Sequence, residues 1–386
     1  MLFSESFITT LRQDPKTAEC QSHKLLLKGN FLFMVSSGIY SYLPLGWRVL
    51  TKINNLIRKA MNSAGAQEIF MSALQPIEIW QKTGRDKDLA EVMFTFKDRK
   101  KRQLCLGPTH EEEITEIVKR SISSYKQLPT ILYQIQTKFR DEPRPRFGLM
   151  RSCEFIMKDA YSFDKDEEGL DKNYQKMLSA YKSIFKECGL DFVMIEADSG
   201  AMGGSASHEF MVAGEIGEDI VDGKKMIEIG HIFKLGTKYS LAQDALFVDE
   251  KGKRLPFIMG CYGIGVSRIL SAVAELNSDE KGLIWPKSLA PFDLTLVVLN
   301  DKLIEEAVKL SKELEQIGFS VLVDERNEAA GVKFNDAYLL GNPYIAVIGK
   351  KYLNDKTIDL EARSDGKKMS FKSQELINFL KTEYGR

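Results

Sequence analysis

From Trp47 to Ala64 apolar residues fall at Val49, Leu50, Ile53, Leu56, Ile57, Ala60, Met61 and Ala64, the spacing of an amphipathic helix. Gly65 follows where a helix commonly ends in the left-handed conformation, and Glu68 to Leu74 reads as a short strand stopped by Pro76. Helical spacing returns between Asp166 and Gly189, with Leu170, Tyr174, Met177, Tyr181 and Phe185 on one face. Between these helices, Lys138–Phe163 reads as two strands joined by the loop PRPRFGLM, since Pro143 and Pro145 remove backbone donors and force an irregular sheet edge. KDRKKR, from Lys97 to Arg102, reads as a solvated hairpin tip, with an RNA contact as the second reading. In CLGPTHEEEITEIVKR, Gly107 and Pro108 make a turn, Thr109 is the expected N-cap, and Glu111 to Glu113 fill a helix's first turn. Leu255–Asn277 reads as a strand, a glycine turn and an apolar helix.

A proline-punctuated stretch, WPKSLAPFDL, marks a domain boundary, so the expected domains are residues 1–285 and 286–386. Beyond it strands at Leu294–Leu299, Phe319–Val323 and Tyr344–Ile348 alternate with helices at Leu303–Ile317 and Gly331–Leu340. Two short strands near Thr357–Ala362 and Lys368–Phe371 precede a final helix. That order predicts a compact α/β domain.

With 386 residues the chain is long enough for two such domains, and 28% charged against 44% hydrophobic residues is ordinary for a globular protein. Lys+Arg and Asp+Glu both number 54, so no overall charge announces a nucleic-acid partner. Basicity is local: Thr95–Arg151 holds 13 Lys/Arg against 7 Asp/Glu, whereas Pro291–Arg386 holds 14 against 16. Five scattered cysteines without a CxxC pair argue against a zinc site or disulfide framework and fit a reducing compartment. The start lacks the pattern of a signal peptide, and the apolar run Phe31–Trp47 is broken by Ser36, Ser37, Gly38 and Pro44. These features predict a cytoplasmic protein that does not enter a membrane.

The chemistry concentrates around Arg140, Arg144, Arg146 and Arg151, whose planar forks suit phosphate and carboxylate. Alone this would be a solvated basic loop. The order F-R-x-E, loop, R-x-x-E-F, however, resembles motif 2 of the class II aminoacyl-tRNA synthetases, and FRDEPRPRFG…EFIMKDAYSF is similar to the prolyl-tRNA synthetase version. The long helix, strand and Pro76 resemble motif 1, which implies a homodimer. Gly263-x-Gly265-x-x-Arg268 fits motif 3 better than a dinucleotide fingerprint. GPTHEE resembles the family's proline-binding loop, GGSASHEF leads to its pocket histidine, and DERNEAAGVKFNDAYLLGNPY resembles its anticodon-binding domain.

The resemblance implies an α+β catalytic domain, an antiparallel sheet with flanking helices, over 1–285 and a small α/β anticodon-binding domain over 286–386. It implies ligation of L-proline to the proline tRNA, with ATP as substrate and Mg2+ whose ligands it does not assign. Thr109 and Glu111 would receive proline's ammonium, with His208 and Cys261 lining that pocket. Arg140 would bridge the α-phosphate and the proline carboxylate, Glu142 read the adenine, and Phe155 stack on it. Arg151 and Arg268 would hold the outer phosphates, and Asp324, Arg326 and Lys333 would contact the anticodon. Two departures stand out: Cys153 replaces a usual arginine in motif 2, and Ala329-Ala330 stand where relatives carry Arg-Pro or Arg-Ala. Only VDGKK separates HEFMVAGEIGEDI from MIEIGHIFKLGTKYS, where many bacterial relatives insert an editing domain. A catalytically inactive binding protein and a synthetase for another small amino acid are the alternatives. Thr109, Glu111, Arg140 and Arg268 argue against the first, GPTHEE and CYGIGVSR against the second.

Overall fold

A computed structural model describes residues 1–386, which divide into two compact units. One comprises Ser36–Tyr40 and Ile53–Ala272, the other Met1–Val35, Ser41–Lys52 and Val273–Arg386.

The first unit is framed by an eight-stranded sheet. Its order is Gln67–Glu68, Thr130–Phe139, Glu154–Asp164, Ile258–Gly265, Lys224–Gly236, Ala206–Ala213 and Val193–Glu196, with Asp219–Val221 paired to Lys224–Gly236. All pairs are antiparallel except the first. Because side chains alternate along a strand, each strand divides its residues between two faces. On one face lies the helix Glu167–Glu187, begun by the Asp166 carboxylate accepting from the Gly169 amide. Its Tyr181 and Phe185 rings meet Phe210, and a Cβ at Gly230 would come within 2.9 Å of Phe185. On the other face Tyr161, Phe163, Phe233 and Met259 pack against Ile114 and Val118 of the helix Glu111–Ser121. Full burial of each large apolar side chain contributes about 1.5–3 kcal/mol, which is what holds that helix to the sheet.

Several expectations are adjusted. The helix expected over Trp47–Ala64 runs Pro44–Ser63 with Gly65 at φ +80 beyond it, but the predicted Glu68–Leu74 strand survives only as Gln67–Glu68 and Leu74–Pro76. The expected glycine turn is absent, because Gly260, Gly263 and Gly265 all lie inside the strand Ile258–Gly265. A Cβ at Gly260 would sit 2.2 Å from the Tyr262 hydroxyl, so that glycine makes room for a ring. Thr109 is not the N-cap: His110 occupies that position without a side-chain bond, and the Thr109 hydroxyl turns to Glu111. Across VDGKK, Asp222 and Gly223 (φ +50 and +76) form a two-residue hairpin turn.

The second unit holds a five-stranded sheet ordered Val321–Asp324, Leu294–Val298, Tyr344–Ile348, Ile358–Ala362 and Lys368–Phe371. The first three strands are parallel and the last two antiparallel. Helices Ile304–Gln316 and Ser373–Tyr384 supply Leu310, Leu314, Leu376 and Leu380 to its core. A short helix at Lys350–Asp355 was not foreseen. The N-terminal residues group with this sheet: Leu2 bridges Val323 in parallel, and the Phe31 ring meets Trp285. No helix is long and apolar enough to cross a membrane.

Candidate active site

On the sheet face opposite the helix Glu167–Glu187, a cavity of about 390 Å³ is walled by Phe155, Met157 and Asp159 of one strand, Cys261, Gly263 and Gly265 of the next, and Ile229, His231 and Phe233 of the third. Alternation sends the intervening residues the other way, and Lys158 accordingly reaches the Tyr181 hydroxyl at 2.6 Å.

One end of the cavity is acidic. Glu111, fully buried at the start of its helix, accepts from the Thr109 hydroxyl at 2.7 and 2.9 Å, from the Cys261 thiol at 3.2 Å and from Arg85 Nη1 at 3.1 Å. Burial presses the carboxyl upward, but Arg85 and the hydroxyl outweigh it and hold Glu111 below its ordinary value. Cys261 is pushed up by burial and by Glu111, so it remains a neutral thiol.

The other end is basic. Arg140 leaves the end of its strand with its guanidinium 5.2 Å from the Phe155 ring centre, and unlike its neighbours it has no carboxylate partner. Burial and the nearby Arg268 both disfavour its charge. Arg268, in the first turn of the helix Val266–Leu276, donates through Nη1 to Glu228 Oε2 at 2.9 Å and through Nε to the Met150 carbonyl at 3.2 Å. Arg151 Nε donates to Glu142 at 2.7 Å, while Glu218 accepts from Arg146 at 2.8 Å and from Arg151 at 3.3 Å. Cys153 has its amide on the Gly38 carbonyl at 2.8 Å, and its own carbonyl accepts from the Arg140 amide at 2.8 Å.

Three carboxylate or imidazole groups meet at the side of the basic end: ligand atoms of Glu209, Glu228 and His231 lie within 4.8 Å of one another. The strand register slips opposite Glu228–Gly230, which turns Glu228 onto the face that His231 already occupies. Despite its burial, Glu228 is held down at about 2 by His231 and Arg268.

Thr109, Glu111, Arg140, Glu142, Arg151, Phe155, Cys261 and Arg268 thus line one cavity. His208 does not. It pairs with Ile232 in the ladder and faces the opposite side of the sheet, where its Nδ1 lies 2.6 Å from the Tyr174 hydroxyl. Asp324, Arg326 and Lys333 likewise do not form a free surface. Arg326 is clamped between Asp324 (2.7 Å) and Asp336 (2.9 Å) with Phe3 stacked 3.5 Å away, and buried Lys333 donates to the Val298 carbonyl at 2.6 Å. Sequence reasoning missed Arg85, Glu112, Glu228 and His231. Arg85 stands in an ordinary charged stretch, KTGRDKD, and only the fold carries it to the cavity wall.

The cavity therefore offers a buried anionic acceptor beside a neutral one at one end, and guanidinium groups beside an aromatic ring at the other. Comparisons with known proteins establish the fold and the family. Residues 94–277 match the model of the tRNA synthetase class II core domain (G, H, P, S and T), and residues 293–383 that of the anticodon binding domain. The chain is a class II tRNA synthetase by fold, and a prolyl-tRNA synthetase of Giardia lamblia solved with prolyl-adenylate superposes with a TM-score of 0.83 over 92% of this chain and 74% of that one, at 19% identity. The proline–tRNA ligase of Caldicellulosiruptor bescii is 36% identical over 96% of both chains, and that of Rickettsia typhi 39% identical over 99% of this chain and 100% of its own. The chain belongs to the proline–tRNA ligase family. The Caldicellulosiruptor alignment runs over 551 positions against 386 residues here, so that relative carries long segments this chain lacks.

Proposed function

We propose that this protein activates L-proline with ATP to prolyl-adenylate and pyrophosphate, then transfers the prolyl group to the 3′-terminal adenosine of the proline tRNA. The observation that carries this reading is the polarity of this cavity, with Glu111 and Thr109 at one end and Arg140 and Arg268 at the other. Proline's secondary ammonium has two donors and a positive charge, which a carboxylate and a hydroxyl oxygen complement. Its carboxylate then lies toward Arg140. Being already ionised, that carboxylate attacks the α-phosphorus without a protein base, and the phosphorus–oxygen bond to pyrophosphate breaks as the new one forms. The work of the site is positioning and neutralising charge at phosphorus, the role we assign to Arg140.

For ATP, Phe155 offers a stacking face, Glu142 an acceptor for the adenine amino group, and Arg151 and Arg268 the charge for the outer phosphates. Glu142 and Arg151 are paired at 2.7 Å, so ATP replaces that ion pair with its own contacts. The two carboxylates beside His231 suit a hard cation, and Glu228 with Glu209 would hold Mg2+ there. Bound magnesium supplies further neutralisation of the triphosphate. Residues 1–285 act as the catalytic domain and 286–386 as the anticodon-binding domain, in the cytoplasm. The working unit is a homodimer built on the Trp47–Pro76 region, a reading supported by the exposure of Trp47 (53%) and Phe70 (77%). A fully active monomer in sedimentation at micromolar concentration would contradict the dimer. The activity itself is tested by ATP–pyrophosphate exchange across a panel of amino acids: proline should dominate, whereas no exchange, or preference for another amino acid, would reject it.

A further inference from the structure

At the wall of the acidic end of the cavity lies a buried group to which the adenylation chemistry above assigns no role. Arg85 is 1% exposed, between the rings of Trp80 and Tyr239 with each centroid 5.3 Å away. Its Nη1 lies 3.1 Å from Glu111 Oε2 and 3.1 Å from both oxygens of Glu112. Glu112, fully buried like Glu111, otherwise accepts only from the Thr83 hydroxyl at 2.8 Å. One buried cation therefore faces two buried carboxylates, which leaves one negative charge in excess. An uncompensated charge costs several kcal/mol there, so something must offset it.

The other titratable groups facing Glu112 do not. Cys105, on the strand Gln103–Leu106, and Tyr239, on the helix Lys238–Ala242, are both pushed up by burial and stay neutral. Lys238, on the same helix, feels the attraction of Glu112 and Glu111 but directs its ammonium to the Ala201 carbonyl at 2.8 Å and forms an ion pair with neither. Burial and the charge of Glu111 push Glu112 up to about 7 against the pull of Arg85, whereas Glu111 itself is held low. Proton and charge thus divide unequally between two adjacent glutamates, and the one kept ionised is the one in reach of the cavity.

Resting on the proline-activating reading above, we propose that Arg85 and Glu112 are positioning residues that set the charge of the ammonium subsite, the excess carboxylate being neutralised by a proton on Glu112 when the subsite is empty and by the substrate's ammonium when it is full. Binding of the amino acid then drives a proton from Glu112 to solvent. Arg85 fixes which glutamate faces the substrate, and Glu112 supplies the second negative charge that lets two cations, Arg85 and the ammonium, coexist in one buried site.

The test is calorimetry of proline binding to the full chain in two buffers of different ionisation enthalpy at pH 6.5, paired with steady-state exchange kinetics. Wild type should release a substantial fraction of a proton. Glu112→Gln should release none and raise the KM for proline by ~10-fold or more, because Arg85 and the ammonium then share a single carboxylate, with the KM for ATP within about twofold of wild type. Adding Arg85→Gln to Glu112→Gln should lower the proline KM again, since the subsite returns to one carboxylate facing one cation. Glu112→Asp, which keeps the charge, should keep the proton release and stands in if the glutamine variant fails to fold. Proline binding without proton release in wild type overturns the proposal, as does an unchanged proline KM in E112Q, an equal rise in both KM values, or a double variant worse than E112Q. A wild-type protein that does not activate proline would instead defeat the reading on which the proposal rests.

Discussion

Replacing Arg140 with alanine should separate catalysis from folding. Arg140 is the one guanidinium of the basic end without a carboxylate partner, and burial together with Arg268 already works against its charge. Its removal breaks no ion pair and relieves a like-charge contact, so the melting temperature should stay level or rise. Its backbone amide, which donates to the Cys153 carbonyl at 2.8 Å, is retained in alanine, so the strand end is kept. Catalysis should move the other way. A donor aimed at charge that develops only in the transition state is worth about 2.7–4 kcal/mol, so proline-dependent pyrophosphate exchange should fall by roughly 10²–10³-fold. Arg140→Lys should recover little of that loss, because an ammonium cannot bridge two oxyanions as a planar fork does. Exchange at fixed saturating ATP and proline, alongside a thermal melt of the same sample, gives both quantities. Near-normal exchange by folded R140A would remove Arg140 from the reaction, and a large drop in melting temperature would show it to be a structural residue.

Glu111→Gln keeps the shape of the acidic end but removes its charge, so the proline KM should rise roughly 10–100-fold, matching a charge-assisted bond of about 1.5–3 kcal/mol, while the KM for ATP holds. An equal effect on ATP would count against the ammonium site. Asp164 predicts a pH dependence: it is fully buried, one oxygen accepts from Asn173 at 2.6 Å, the other has no partner, and burial pushes it up to about 6. With its folded value raised, the protonated form is favoured in the native state, so its contribution is complete at low pH and is lost as pH rises through about 6. Relative to Asp164→Asn, wild type should lose roughly 1–2 kcal/mol between pH 5 and 8 in denaturant titrations, and parallel curves would refute the assignment. Finally, a pocket shaped for a pyrrolidine ring discriminates against a smaller side chain by only about 1–3 kcal/mol, so alanine should be activated measurably. With a two-residue hairpin turn at Asp222–Gly223, added protein should leave preformed alanyl-tRNA to its spontaneous hydrolysis. Accelerated deacylation would reveal a second hydrolytic site.

What could be read from the sequence followed the range of the interaction. Helices such as Glu167–Glu187 and the C-terminal strands carry their period locally, so their existence and type were legible. Motif residues such as Arg140 and Arg268 were legible through their neighbours in the chain. Contacts made by tertiary structure were not. The side of the sheet taken by His208 depends on its register against Ile232, and a one-residue change of register would have faced it to the cavity. Arg326 has the residue type for reading RNA, yet Asp324 and Asp336 engage its Nε and Nη2 and Phe3 covers its flat face. A glycine cluster usually marks a turn, whereas here Gly260 lies inside a strand and yields space to the Tyr262 hydroxyl.

The order of the sheet also bears on how the chain is built in time. Its central strand, Ile258–Gly265, pairs with Glu154–Asp164 on one side and Lys224–Gly236 on the other, and it is the last of the sheet's strands along the chain. During synthesis the pair Thr130–Phe139 with Glu154–Asp164 and the pair Ala206–Ala213 with Lys224–Gly236 can each form from neighbouring residues. Each leaves open the edge that the central strand will occupy. Until residue 265 has left the ribosome the nascent protein carries two unpaired strand edges, Ile156–Asp164 and Gly230–Lys234, rich in apolar side chains. Chains truncated between 236 and 258 should therefore be the most aggregation-prone of any length, and closing the sheet, a contact between residues about a hundred apart, should limit the folding rate.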